Sequence, residues 1–189
     1  MTVSRRRLPH LYGRDGWLFV TWHLHGSLPQ ALYPPPGKPS AGKAFVWMDR
    51  YLDTTRQGPM FLRHPKVAGI AVEAIERGAA LQYYELRAFV VMGNHVHVLL
   101  RPKGEASRVL QWLKGTTARE ANKVLGRTGQ SLWQRESYDH WVRDQRELER
   151  IVAYIEHNPV RAGLAAEPWE YIWSSAWGRP RELKPAAAR

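Results

Sequence analysis

Residues 88–100, Ala-Phe-Val-Val-Met-Gly-Asn-His-Val-His-Val-Leu-Leu, constrain the fold more than any other stretch. The run is almost wholly apolar and rich in valine, so it reads as one buried β-strand. Side chains alternate along a strand, which puts His95 and His97 on one face and Val96, Val98 and Leu100 on the other. At about 3.3 Å per residue, the two histidine Cα atoms lie roughly 6.5–7 Å apart. Two imidazoles so placed either find separate hydrogen-bond partners in a core or share one metal ion. Gly93 marks a bulge or a hairpin turn at which Tyr83–Phe89 pairs with the histidine strand.

A second segment, Leu148 to Arg161, has Leu148, Ile151, Val152 and Ile155 at helical spacing. Tyr154 and Asn158 are four apart and share a face of that helix. Asp144 is its expected N-cap and Pro159 its expected stop. If this face meets the histidines, two imidazoles and an amide oxygen can hold a metal beside a phenol. Such a shell is neutral and leaves the +2 charge of the ion available to a phosphodiester.

Composition points to a polyanionic partner. Twenty-eight Lys and Arg against 17 Asp and Glu give a net charge of +11, with a pI near 10.3. Nucleic acid is the first candidate and an anionic membrane the second. No apolar run is long enough to span a membrane, and no secretory leader is evident. Cysteine is absent, which excludes disulfides and thiolate metal sites.

Along the chain, residues 1–15 read as a basic arm. Gly16–His25 is a first strand, whose His23 and His25 read as structural or DNA-proximal. Residues 29–43 are a proline-rich loop. Lys43–Thr54 is a short helix with Phe45, Trp47, Met48, Tyr51 and Leu52 as its apolar contacts. Pro65 opens a helix that Gly78 ends, and Glu105–Leu125 is a long helix. That helix carries Arg108, Lys114, Arg119 and Lys123 as a phosphate-contacting side, with Arg143 and Arg161 as further DNA contacts. Gln130–Trp133 is a candidate strand, and Gln134–Asp144 a polar, aromatic connector. The aromatic 168–177 segment closes the domain, leaving residues 178–189 as a basic tail. One domain is thus expected over residues 16–177, with mixed helix and strand content.

Three motifs together resemble the REP-associated tyrosine transposases of the single-tyrosine HUH superfamily. They are Gly93-Asn-His-Val-His97, Trp133-Gln-Arg-Glu-Ser-Tyr-Asp-His140, and Tyr154-Ile-Glu-His-Asn-Pro-Val160. The resemblance spans about residues 16–177. It implies an α+β, ferredoxin-like fold: an antiparallel sheet of four or five strands flanked by helices. It implies His95, His97 and Asn158 as ligands of Mg²⁺ or Mn²⁺, and Tyr154 as the nucleophile. The substrate it implies is single-stranded DNA near hairpins of repetitive palindromes, cut through a 5′-phosphotyrosine by a monomer or homodimer. A cytoplasmic, nucleoid-associated location follows from that reading. Tyr138 is the rival nucleophile. A non-catalytic DNA- or RNA-binding relative, or a metal-dependent phosphodiesterase with no covalent intermediate, are the alternative functions.

Overall fold

A computed structural model describes residues 16–29 and 41–179. The basic arm, most of the proline-rich loop and nearly all of the basic tail lie outside the described residues.

Four strands form one antiparallel sheet: β1 (Leu18–His23), β2 (Tyr84–Val91), β3 (His95–Pro102) and β4 (Tyr138–Trp141). Their spatial order is β2-β3-β1-β4. Between β1 and β2 the chain forms helices α1 (Ala41–Thr54) and α2 (Pro65–Ala80). Helix α3 (Ala106–Val124) connects β3 to β4, and α4 (Gln145–Glu156) follows β4, continued by the short α5 (Asn158–Arg161). Each crossover thus skips one strand, the ferredoxin-like arrangement with an added helical layer.

Strand alternation sorts the core into two faces. Leu18, Val20 and Trp22 of β1 join Val96, Val98 and Leu100 of β3 beneath α2 and α3. Phe19 of β1 and Leu99 of β3 face the opposite way, against Phe45, Met48 and Leu52 of α1 and Leu148 and Ile155 of α4. Thr21 pairs with His97 and His23 with His95, so both metal-candidate histidines sit on the α1/α4 face. A bulge between Leu86 and Ala88 switches the parity of β2, which sends Ala88 and Val90 to that same face.

Several sequence-based boundaries are corrected. The 88–100 stretch is not one strand but the two arms of a hairpin, β2 and β3, turning at residues 92–94. Gly78 does not end α2, which runs on to Ala80. A Cβ at Gly78 would collide with the Tyr84 ring and its hydroxyl, which donates to Ile75 O, so the glycine serves packing. Gln130–Trp133 contributes only an isolated bridge, Leu24 to Trp133. The 134–144 connector contains β4, a short edge strand whose polar composition hides it. Pro159 falls in the first turn of α5, where its missing N–H costs nothing, rather than stopping the helix outright. Asp144 caps α4 as expected, accepting from Glu147 N at 2.8 Å. The 173–175 segment lines the outer edge of β2, with Val91 N donating to Trp173 O and Ser175 N to Phe89 O.

Candidate metal and nucleophile site

His95 and His97 are fully buried, and each ring is oriented from behind. His97 Nδ1 lies 2.7 Å from Thr21 Oγ1, the residue opposite it in the sheet. His95 Nδ1 lies 2.7 Å from Asn94 Oδ1, while Asn94 Nδ2 donates to Leu52 O at 3.0 Å. Holding Nδ1 in this way aims both Nε2 atoms at the same space, as bound imidazoles require.

The group that meets them from α1 is Asp49, which the sequence reading passed over. Asp49 Oδ1 is 3.0 Å from His97 Nε2 and 3.9 Å from His95 Nε2. One turn along α1, Asp53 Oδ1 is 3.5 Å from His95 Nε2. Ligand atoms of Asp49, His95 and His97 all lie within 4.8 Å of one another. Despite this crowding, Asp49 Oδ1 and His95 Nε2 lack a well-directed hydrogen bond. Buried polar atoms of that kind are rare without a reason, and a cation between them supplies one. The donor set of one carboxylate and two imidazoles suits a divalent ion.

The helix residues arrive at the same place. Asn158 is fully buried with its amide nitrogen 3.2 Å from His97 Nε2. Turning the amide lets the nitrogen donate to Asp53 Oδ1 at 3.2 Å and brings the oxygen 3.2 Å from His97 Nε2 and 3.0 Å from an Arg161 amine. That orientation satisfies both ends and presents an oxygen to the ion site. Although Asn158 begins α5 rather than continuing α4, it still converges on the histidines. The Tyr154 hydroxyl donates a short hydrogen bond to Asp49 Oδ2. Its ring packs 5.6 Å from that of His97 and carries the Arg161 guanidinium 4.2 Å above its centre. Phe19 and Phe45 enclose the ring at 6.0 and 6.1 Å.

Electrostatics follow from this burial. Burial alone would raise the Asp49 carboxyl, but the adjacent His97, His95 and the Tyr154 hydroxyl hold it below the ordinary carboxylate range. Asp53 is pushed up to about 7, by burial first and by the neighbouring Asp49 charge second. His95 is driven well below its ordinary value by burial and by His97, which keeps it neutral and ready to ligate. Burial and the Asp49 charge raise the Tyr154 phenol far above its usual value. The phenol therefore gives up its proton far less readily than a free tyrosine. The shell expected from sequence was neutral; the Asp49 carboxylate makes it anionic instead.

The other predicted residues are dispersed. Arg108, Arg119 and Lys123 project from the outward side of α3, the helix packed on the sheet face away from the histidines. Arg108 pairs with Glu105 and Lys123 with Glu120, each at 3.1 Å. Lys114 does not share that side: its amine donates to Gln134 O and Arg135 O at 2.8 and 3.0 Å, and burial lowers it to about 8. Arg143 is exposed and pairs with Glu147 at 2.7 Å, and Glu147 is lowered to about 2 chiefly by that hydrogen bond. Arg161 alone of the basic set enters the site. The second His-x-His is not part of the ligand group, although His23 lies opposite His95 in the sheet. His23 Nδ1 engages Ser27 Oγ at 2.9 Å, with its pKa lowered to about 4 mainly by burial, and His25 contacts Gln134. Tyr138 stacks on Phe45 at 4.2 Å, beside the site.

Asp49 carried a sequence signal. It falls within the apolar stripe of α1 between Phe45, Met48 and Leu52, and a carboxylate at a core position needs a partner. Asp53, four residues on, repeats the signal.

Comparison with known proteins agrees with this geometry. Residues 62–158 match the family model described as IS200-like transposase. A Haemophilus influenzae protein assigned as a REP-associated tyrosine transposase is 24% identical over 124 residues, covering 53% of this chain and 70% of that protein. The solved structure of a REP-associated tyrosine transposase bound to a REP hairpin superposes with a TM-score of 0.53 at 21% identity. It covers 92% of this chain and 82% of its own. That likeness concerns the fold, which it shares. The crystal structure of an assigned transposase from Deinococcus radiodurans R1 gives a TM-score of 0.42 at 19% identity, over 81% of this chain and 98% of that one. The matched family span holds His95, His97, Tyr154 and Asn158, leaves Asp49 outside, and takes in more than half of the sequence: the chain belongs to the IS200-like transposase family of DNA strand-transfer enzymes.

Proposed function

We propose that this protein cuts and rejoins single-stranded DNA through Tyr154, at a site beside a hairpin. The observation that carries the reading is the convergence of Tyr154, Asp49, His95, His97 and Asn158 in one buried cluster. A hairpin is the substrate class because the solved relative is held in complex with one.

His95, His97 and Asp49 would hold the ion, with the Asn158 oxygen at its edge; Mg²⁺ and Mn²⁺ both suit oxygen-rich phosphate chemistry. When bound, such an ion polarises the scissile phosphate and offsets charge that builds up in displacement. Tyr154 Oη attacks phosphorus, the P–O3′ bond breaks, and the upstream strand leaves with a 3′-OH. The downstream strand stays as a 5′-phosphotyrosine. The phenol already donates to Asp49 Oδ2, which is the nearest acceptor for its proton. Attack by another 3′-OH reverses the step and reseals the strand, since the covalent bond conserves the energy of the one broken. Arg161, above the Tyr154 ring, meets the phosphate or steadies the phenolate.

The convergence of these groups within residues 16–177 supports Tyr154 acting in cis, in a monomer or in each half of a dimer. Arg143, and Arg108, Arg119 and Lys123 on the far side of the sheet, would contact DNA remote from the scissile bond. The working compartment is then the cytoplasm, on the nucleoid; among the described residues no helix is long and apolar enough to cross a membrane.

The test is cleavage of hairpin DNA with single-stranded flanks, labelled at its 3′ end so that the label lies downstream of the cut, with and without Mn²⁺. The proposal expects metal-dependent cleavage with label retained on protein. Binding without cleavage supports the non-catalytic alternative. Cleavage without retained label supports a phosphodiesterase.

A further inference from the structure

A cavity of about 800 Å³ opens beside His95, past the Met92–Asn94 turn. Its volume lies in the range of small-ligand pockets, roughly 300–1,000 Å³, and accommodates a nucleotide. Arg56, Arg63 and Arg161 line it together with Tyr171 and Trp173, and Asp53 is the single acid among its lining residues. Guanidinium groups beside aromatic faces are the chemistry that receives a phosphate and a stacked base.

The position of this cavity relative to Tyr154 is informative. Along α1, Asp49 meets Tyr154 and His97, while Asp53, one turn of about 5.4 Å further on, meets His95 and lines the cavity. Neither Tyr154 nor His97 lines the cavity. Phe19 and Phe45 close the space around Tyr154. The phenol thus neighbours His97 and the cavity neighbours His95, with Arg161 reaching from the cavity wall to the Tyr154 ring. In-line phosphoryl transfer sets attacking and leaving oxygens on opposite sides of phosphorus.

We infer that this cavity holds the nucleotide immediately upstream of the scissile phosphate, the one that departs with a free 3′-OH. The inference rests on Tyr154 as nucleophile. The bond that breaks is P–O3′, so the leaving sugar lies on the His95 side, with its base against Tyr171 or Trp173. Retaining it there keeps the 3′-OH next to the phosphotyrosine and available for the return reaction. Arg63 is the cavity's positioning cation, and Gly93 makes room for it. A Cβ at Gly93 would come within 3.2 Å of Arg63 Cγ and Nε, which pass over the turn.

The experiment uses full-length Tyr154→Phe protein with Mn²⁺ and two hexathymidylate probes. One carries 5-iodouracil at its 3′-terminal nucleotide with a free 3′-OH. The other carries it at a 5′-phosphorylated 5′ end. Irradiation followed by peptide mapping is expected to join the first probe to Tyr171 or Trp173 and to leave the second probe outside the cavity. Arg63→Ala should lower the first yield about ten-fold, the loss of one charge-assisted contact, and leave the second unchanged. Gly93→Ala should give a smaller loss in the same direction. Crosslinks from the first probe that map elsewhere, equal capture of both ends, or a yield indifferent to Arg63 would each overturn the assignment. The nucleophile is scored separately by the covalent adduct of the wild-type protein. Mapped crosslinks with no adduct would therefore sink the Tyr154 reading and the word upstream, while the cavity remained a nucleotide site.

Discussion

Replacing Asp49 by asparagine keeps the shape of the side chain and removes its charge. The three candidate ligands lie within 4.8 Å of one another, so a shared dication would sit within about 4 Å of that carboxylate. At an effective dielectric of about 20, a unit charge pair at that distance is worth about 4 kcal/mol, and about twice that against a dication. Burying the carboxylate has already cost much of its hydration, which returns a large share of the gain. A net loss of about 2–4 kcal/mol remains, which weakens binding about 30- to 1,000-fold. Asn158 is neutral, and Asn158→Ala should cost only about ten-fold. Calorimetric titration with Mn²⁺, repeated as a metal-induced shift in melting temperature, measures both variants against wild type. If Asp49→Asn binds within about three-fold of wild type, or Asn158→Ala is the weaker binder, the carboxylate is not the charged ligand and the anionic shell is wrong.

Other consequences follow from single contacts. The Asp53 carboxyl is raised to about 7 when folded, so protonation favours the fold. Its contribution is fully present below the unfolded value near 4 and is lost as pH rises to about 7; metal-free Asp53→Asn should therefore gain stability relative to wild type across that window in urea titrations. A flat difference would contradict the assignment. Gly78→Ala should lower stability by about 1–3 kcal/mol through the clash with Tyr84, although alanine is the better helix former; a raised melting temperature would refute that packing account. Lys114→Met should destabilise the fold by releasing the 134–135 backbone, whereas Arg119→Ala should leave stability alone and reduce the salt dependence of DNA binding by about one charge. The reverse pattern in melting and salt titrations would restore Lys114 to the DNA face.

The parts legible in the sequence were those written in periodicity. Alternation placed His95 and His97 on one face, and the 3.6-residue stripe gave α2 and α3. Asp144 announced the start of α4. Strand β4 was hidden because Tyr138-Asp-His-Trp141 is a short edge strand of half-buried polar and aromatic residues, with no alternation to detect. The 92–94 turn was half legible: Gly93 offered a bulge or a hairpin turn, but both arms are apolar, so one long strand and two short ones look alike. Asp49 was missed for a different reason: only the tertiary fold brings α1 across the histidines, 46 residues away in sequence from His95. Lys114 does not share a side with Arg108, Arg119 and Lys123 because, at 100° per residue, it points well away from them.

The central claim is that a phenol on α4, held by an α1 carboxylate beside two strand histidines, becomes joined to DNA. Mass spectrometry of tryptic peptides after incubation with single-stranded hairpin DNA and Mn²⁺ tests it directly. A nucleotide adduct on Tyr154, absent from Tyr154→Phe protein that still binds the hairpin, is the predicted result. An adduct on Tyr138, or cleavage with no adduct on any tyrosine, would contradict it.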